Sequence, residues 1–187
     1  MKMKDHPVIE TIFRRRSIRK FKPDPVPQEI IQLLLEAGMA APSAMNNRCW
    51  EFVVVTDPKL LEKIRMNLVF GNRKAPLAIA VCGNLKKSRK KFSKSEFWIQ
   101  DCSAATENIL LAATALGLGS LWVGVHPVPL FSLSVSHILK LPRYVLPLNI
   151  IYIGYAVDEK PPHTKYDEKS IYWQQYGLSQ DHAEGEQ

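Results

Sequence analysis

Val8, Ile9, Ile12 and Phe13 recur at helical intervals, the spacing that gathers apolar side chains on one face of a helix. The chain is therefore expected to open with a short amphipathic helix ending near three consecutive arginines. Pro23, Pro25 and Pro27 then impose an extended turn, because proline locks φ and disfavours helix in the residue before it. From Gln28 to about Met39 a second helix is predicted. Ile30, Ile31, Leu34 and Leu35 form its apolar stripe, and Gln28, Glu29, Gln32 and Glu36 fall on the other side. Ala40 to Cys49 (AAPSAMNNRC) has no period and reads as a loop. Phe52 to Val55 is a short β-branched strand. Asp57-Pro58 supplies an N-cap and a proline at the first helical position, so a helix should run to about Met66.

Leu77 to Cys82 predicts a second strand. The longest helical pattern runs from Phe97 to Leu116, with Ile99, Cys102, Thr106, Ile109, Leu110, Ala113 and Leu116 on one face. Alanines fill much of the rest. So few charges predict burial on most sides, inside the domain or against a second subunit. Gly117 and Gly119 end the helix. Leu121-Trp122-Val123 suggests a strand, Pro129 to Leu139 a short helix, and Leu148 to Tyr155 (LNIIYIGY) a strand apolar enough for the centre of a sheet. Ser179 to Gln187 is polar and expected to be disordered. Helices separate most strands, which predicts an α/β or α+β layer protein. No repeat or linker interrupts the chain. Residues 1–178 are thus read as one domain and 179–187 as a tail.

Composition narrows the class. The 187 residues are 46% apolar and 23% charged, as in globular proteins with a sizeable core. No run approaches the roughly 18 apolar residues of a membrane span, and the N-terminus lacks an apolar signal region, so a cytoplasmic location is expected. The three cysteines lack CxxC or Cys/His spacing, which argues against a disulfide framework or a zinc site. Cys82 and Cys102 sit in apolar patterns and read as buried; Cys49, in the loop, stays open as a reactive group. The net charge of +7 is concentrated in Arg14-Arg15-Arg16 with Arg19, Lys20 and Lys22, and in Lys86 to Lys94. The second run has one interleaved aromatic, Phe92, and is read as a mobile solvated loop rather than a nucleic-acid-binding surface.

Three segments carry candidate chemistry. Arg15-Arg16-Ser17-Ile18-Arg19 brings three guanidinium groups and a hydroxyl together. Arginine forks match phosphate oxygens in pairs, so the cluster could neutralise a phosphate dianion; it could equally be a solvated helix end. Pro42-Ser43-Ala44-Met45-Asn46-Asn47 offers a hydroxyl, two amides and backbone N–H groups for the polar edge of a heteroaromatic ring, or is a plain turn. Gly117 to Gly124 lets backbone approach a flat ligand, but it lacks the GxGxxG order of a dinucleotide-binding turn. No HExxH, GxSxG or P-loop occurs, and His6, His126, His137, His163 and His182 are scattered. Such a chain is consistent with a cofactor that carries the chemistry.

In order and spacing these segments resemble the nitroreductase family of FMN-dependent oxidoreductases. An Arg-x-Ser-x-Arg-x-Phe start matches Arg15, Ser17, Arg19 and Phe21. An Ala-Pro-Ser-x-x-Asn loop before a Trp-x-Phe strand matches Ala41, Pro42, Ser43, Asn46, Trp50 and Phe52. Gly-x-Gly-x-x-Trp-x-Gly matches Gly117, Gly119, Trp122 and Gly124, and a late Ile-Gly-Tyr strand with a basic stretch matches Ile153-Gly154-Tyr155 and His163-Thr164-Lys165. The resemblance spans residues 8 to 170 or so. Two departures stand out: Arg48-Cys49 where the family usually has Gln-Pro, and a C-terminal basic pair reduced to His163 and Lys165.

The resemblance implies an α+β, three-layer fold whose central, mostly antiparallel sheet is flanked by helices, in an intertwined homodimer with both subunits contributing to each FMN site. It assigns Arg15, Arg16, Ser17 and Arg19 to the FMN phosphate, ribityl chain and pyrimidine edge, with His163 and Lys165 reaching the phosphate. Pro42, Ser43, Ala44 and Asn46 would come from the other subunit, and the backbone of Leu121, Trp122, Val123 and Gly124 would face the ring near N5. Asn72 and Lys74 are further candidates. The implied activity is ping-pong hydride transfer from transiently bound NADPH or NADH to a small electron-poor acceptor: a nitroaromatic, quinone or activated alkene. No catalytic side chain and no metal is expected, and no nucleic acid or membrane partner. Alternatives are another flavin reaction on the same fold (dehalogenation, dehydrogenation or flavin breakdown) and a basic nucleic-acid-binding module. Arg48, if it points into the cleft, would alter the acceptor or favour an anionic one.

Overall fold

A computed structural model describes residues 6–88, 96–158 and 160–178. Helix α1 (Pro7–Arg14) begins at His6, whose ring accepts from the backbone of Val8. Helix α2 spans Gln28–Met39. Strand β1 is Trp50–Val55. Helix α3 (Pro58–Met66) is capped as its sequence predicts, with the Asp57 carboxylate accepting from Leu60 N–H at 2.7 Å. Strand β2 (Leu77–Asn84) leads into the short α4 (Leu85–Ser88). The remainder is α5 (Phe97–Ala115), β3 (Gly119–Gly124), α6 (Pro129–Ile138) and β4 (Val145–Gly154).

The four strands form one sheet in the order β1-β2-β4-β3, antiparallel throughout. Central β2 is buried along its whole length, as its continuous apolar run requires. Side chains alternate between faces. Leu77, Ile79 and Val81 join Ile151 and Ile153 against α2 and α5. Ala78, Ala80 and Cys82 join Ile150 and Tyr152 against α3 and α6. The result is the expected α+β arrangement of helices, sheet and helices. A register shift in β2–β4 between Val81 and Cys82 falls where Pro147 lacks an N–H for the ladder. Among the described residues no helix is long and apolar enough to cross a membrane.

Helix α5 ends in a Schellman motif. Gly117 takes φ +75°, Leu118 N–H reaches Ala113 O at 2.8 Å, and Gly117 N–H reaches Thr114 O at 3.1 Å. Its buried set differs from the sequence expectation at both ends. Trp98, Asp101 and Ala105 are inside, whereas Leu116 is 38% exposed, because the helix lies between α2 and the sheet and has already turned outward at its last residue.

Three sequence readings need correction or delimitation. Lys86 to Ser88 is not a solvated loop. Lys86 Nζ lies 3.7 Å from the centroid of Tyr144, Lys87 pairs with Glu51 at 3.0 Å, and Ser88 is buried. Burial by itself raises the Glu51 pKa, but hydrogen bonds from Asn84 and Lys87 and the charge of Lys87 together hold it below the usual carboxylate range. Residues 89–95 of the basic run, and the expected tail at 179–187, lie outside the described residues. Finally, Cys49 is fully buried, like Cys82 and Cys102; it is a packed thiol with no solvent access.

Candidate active site

The site is assembled where the two ends of the chain meet beside β3. After α1 the backbone runs alongside that strand, with Ile18 N–H donating to Ser120 O at 2.9 Å. Gly119 makes the approach possible, since a Cβ there would stand 2.8 Å from the Ile18 side chain. The same segment then joins the chain leaving β4. Lys22 N–H donates to Tyr155 O at 2.8 Å, and Val157 N–H donates to Lys20 O at 3.1 Å. Further on, His163 N–H donates to Phe13 O at 3.0 Å, and the Arg16 guanidinium donates to Pro161 O.

These bonds bring residues 15–19 and 160–165 around one cavity of about 370 Å³, lined by Ile12, Arg15, Arg16, Ser17, Arg19, Lys160, His163 and Lys165. Arg15, Arg16, Ser17 and Arg19, expected at the phosphate, ribityl chain and pyrimidine edge, and His163 and Lys165, expected at the phosphate, all line it. Lys160 was missed by sequence reasoning. Its Nζ donates to Ser17 O at 3.1 Å, and Arg19 donates to the same carbonyl at 3.3 Å. The basic run around Pro161-Pro162 was its available signal. One acid stands close by: Glu107 of α5 lies 3.5 Å from Arg15 Nε. The cavity is thus strongly cationic and built from backbone-anchored segments, a set of donors whose chemistry matches a multiply charged oxyanion.

Strand β3 runs alongside the segment that carries Ser17 and Ile18, so its outer edge is a rim next to the cavity. Leu121 and Val123 turn their side chains into the α3/α6 core and, as alternate members of the β3–β4 ladder, their N–H and C=O groups toward β4. Trp122 is 37% exposed, and a Cβ on Gly124 would meet nothing within 4 Å. Ser120 O faces outward to Ile18, whereas Val125 N–H faces inward to Leu148 O. By strand alternation, Trp122 and Gly124 direct their N–H and C=O groups to the outer edge. Behind this rim Ser120 Oγ and Asn149 Oδ1 are buried without a partner among the described residues, although Asn149 donates to Thr106 Oγ1 at 2.9 Å.

Pro42, Ser43, Ala44 and Asn46 are not at this cavity. Their loop precedes β1, at the opposite edge of the sheet from β3. It is held by Asp101 of α5, whose Oδ1 accepts from Ala44 N–H at 2.7 Å and whose Oδ2 accepts from the Cys49 thiol at 3.2 Å. Asp101 is 4% exposed and was missed in the sequence, where its sign was a lone acid among apolar helix positions. The neighbouring Cys49 thiol, then burial, raise the Cys102 thiol pKa well above its ordinary value; Cys102 itself donates to Cys82 O at 3.5 Å. Burial, then the charge of Glu51, push Cys82 up to about 12. Asn72 and Lys74 lie on the exposed connection before β2, with Asn72 Oδ1 accepting from Arg65 at 2.8 Å.

This arrangement can be set against known proteins. The model of the nitroreductase family matches residues 12–69 and 67–155. A Methanothermobacter thermautotrophicus protein provisionally named NADH dehydrogenase/NAD(P)H nitroreductase is 39% identical over 171 residues, covering 90% of this chain and 87% of its own. A Parabacteroides distasonis crystal structure bearing the same provisional name superposes with a TM-score of 0.86 at 40% identity, over 92% of this chain and 100% of that one. The structure of an FMN-dependent nitroreductase from Clostridium difficile R20291 gives 0.81 at 32% identity, over 90% and 99%.

Proposed function

This chain belongs to the nitroreductase family, and from that premise we propose that it is an FMN-dependent oxidoreductase passing hydride from NADH or NADPH to an electron-poor acceptor such as a nitroaromatic, a quinone or an activated alkene. The observation that carries the proposal is the cationic cavity at the foot of β3. A cofactor ending in a phosphate dianion needs several paired N–H donors and a hydroxyl at one end. It also needs a flat, backbone-lined surface beside them. The cavity and the outer edge of β3 supply those two things in adjacent positions, and the FMN dependence named for the Clostridium relative supports the same cofactor.

On this reading Arg15, Arg16, Lys160, His163 and Lys165 hold the phosphate, and Ser17 and Arg19 reach toward the ribityl chain and pyrimidine edge. The backbone of Leu121 to Gly124 faces the ring near N5, with Trp122 and Gly124 presenting their N–H and C=O groups and the missing side chain of Gly124 leaving space. When bound, FMN would supply the redox chemistry, carrying hydride between nicotinamide and acceptor in the proposed ping-pong order. The chain's own groups position and bind; none is assigned as an acid or a base.

A homodimer is part of the proposal. The Pro42–Asn46 loop and the cavity stand at opposite sheet edges of one protomer, so the loop serves a flavin only across a two-fold axis. Val8, Ile9 and Ile12 on α1 and Tyr166, Tyr172, Trp173 and Tyr176 near the C-terminus are exposed, which suits arms packed on a second copy. Both core clusters share one sheet, supporting a single domain. A nicotinamide-driven reduction and three free thiols suit a reducing compartment, so the cytoplasm is the proposed location. Lys86 and Lys87 are engaged by Tyr144 and Glu51, which supports reading the protein as having no nucleic-acid partner. Initial rates with NADPH or NADH against a nitroaromatic test the activity: parallel double-reciprocal lines are expected, and intersecting lines would overturn the ping-pong order.

A further inference from the structure

The loop before β1 holds three non-glycine residues in the left-handed region: Met45 at φ 52°, Asn46 at φ 55° and Arg48 at φ 47°. Such backbone persists only where its surroundings over-determine it, and it clusters at binding sites. Here the determinants are explicit. Asp101 ties down Ala44 N–H and the Cys49 thiol, at either end of the loop. Ser43 Oγ accepts from Arg48 N–H at 3.0 Å, and Asn46 Oδ1 accepts from Arg48 Nε at 2.9 Å.

Arg48 is therefore held twice, at its backbone and at Nε, while the residue itself is exposed. Among the described residues it has no ion pair, and its two terminal nitrogens have no acceptor. With Nε engaged, the end-on pair of terminal N–H groups is what remains for a ligand. That pair matches the two oxygens of a carboxylate. Met45, 52% exposed beside it, offers a soft apolar surface suited to an aromatic ring. Phosphate groups already have their own receptor in the cavity around Arg15 and Lys165.

We propose that Arg48 is a specificity-determining residue that receives the carboxylate of an aromatic acid acceptor. The inference rests on the preceding reading, in which this loop walls the partner's flavin cleft. In the reaction, one nitro group, one NAD(P)H and one proton give a nitroso group, NAD(P)+ and water. Arg48 contributes only binding and takes no part in the electron transfer.

The test compares a charged ligand with its neutral isostere. Benzoate and benzamide are titrated into the oxidised holoprotein by calorimetry, for wild type, Arg48→Gln and Arg48→Lys. In parallel, kcat/KM is measured for 4-nitrobenzoate and 4-nitrobenzamide. Wild type is expected to favour the carboxylate in both measurements by roughly tenfold or more. Arg48→Gln should erase that ratio, and Arg48→Lys, which keeps the charge without the fork, should keep part of it. An equal affinity for benzoate and benzamide in wild type, a preference that survives in Arg48→Gln, or an effect confined to the KM of the nicotinamide donor would each overturn the inference. Failure of the underlying reading looks different: neither nitro compound would be turned over, while the calorimetric ratio would still decide the role of Arg48.

Discussion

The Oδ1 atom of Asp101 lies 2.7 Å from the backbone nitrogen of Ala44, a bond that ties α5 to a loop 57 residues earlier in the chain. Its second oxygen takes the Cys49 thiol, so one buried carboxylate fixes both ends of the segment assigned to the partner's flavin. Asp101→Ala would leave these donors without an acceptor, at a cost of about 1–3 kcal/mol. Urea unfolding should register that loss, together with weaker FMN binding. Asp101→Asn, which keeps one acceptor oxygen, should lose less. An Asp101→Ala protein as stable as wild type would remove the clamp from the account.

Two glycines of β3 differ in what a side chain would meet. At Gly119 an added Cβ would collide with Ile18, and at Gly124 it would meet nothing within 4 Å. Gly119→Ala should destabilise the apoprotein by roughly 1–3 kcal/mol, the usual range for overpacking. Gly124→Ala should leave apoprotein stability within about 0.5 kcal/mol yet weaken FMN. Thermal melts of apoprotein beside FMN titrations check both. Unchanged FMN affinity in Gly124→Ala would move the ring away from this rim.

If the cavity around Arg15 and Lys165 is the phosphate receptor, FMN should bind far more tightly than riboflavin, which lacks the phosphate. Arg15→Ala and Lys165→Ala should each reduce that preference by about tenfold, the scale of one charge-assisted bond. Added salt should reduce it further in wild type. Fluorescence titration with the two flavins reads the ratio directly. A protein indifferent to the phosphate contradicts the assignment.

The thiols give a pH signature. Burial and the Glu51 charge push Cys82 up to about 12, and the neighbouring Cys49 thiol and burial raise Cys102 as well. Both stay protonated in the folded state, whereas thiols of the unfolded chain ionise near about pH 8.5. Their stabilisation is therefore complete below that pH and is lost as pH rises above it, by up to about 1.4 kcal/mol per unit for each group. Unfolding free energies at pH 7.5 and 9.5 should show the decline, and Cys82→Ala should flatten it. Native protein should resist a thiol reagent that labels all three cysteines after unfolding; rapid native labelling would refute their burial.

Local pattern carried much of the fold. The stripe of α2, the Asp57-Pro58 start of α3 and the apolar run of β4 are each written within a dozen residues. What pairing decides was less legible. Trp50 and Glu51 join β1, and Gly83 and Asn84 extend β2, because Trp50 pairs with Gly83 and Glu51 with Cys82. Lys86 was misread for the same reason, since the ring that engages it belongs to Tyr144. At the site, the arginine cluster and the glycine-bounded strand were visible as types of residue in a spacing. Lys160, the burial of Cys49 and the clamp of Asp101 were not, because each depends on contacts between distant segments. The separation of the Pro42–Asn46 loop from the cavity follows from strand order, which no single motif encodes.

The most direct test of the central claim is an absorbance spectrum of the purified protein, taken before and after anaerobic addition of NADPH or NADH. The account predicts flavin bands, native or after reconstitution with FMN, that bleach with at least one donor. Bound flavin that neither donor reduces would point to another flavin reaction on this fold. A protein that remains colourless and cannot be loaded with FMN would contradict the account at its base.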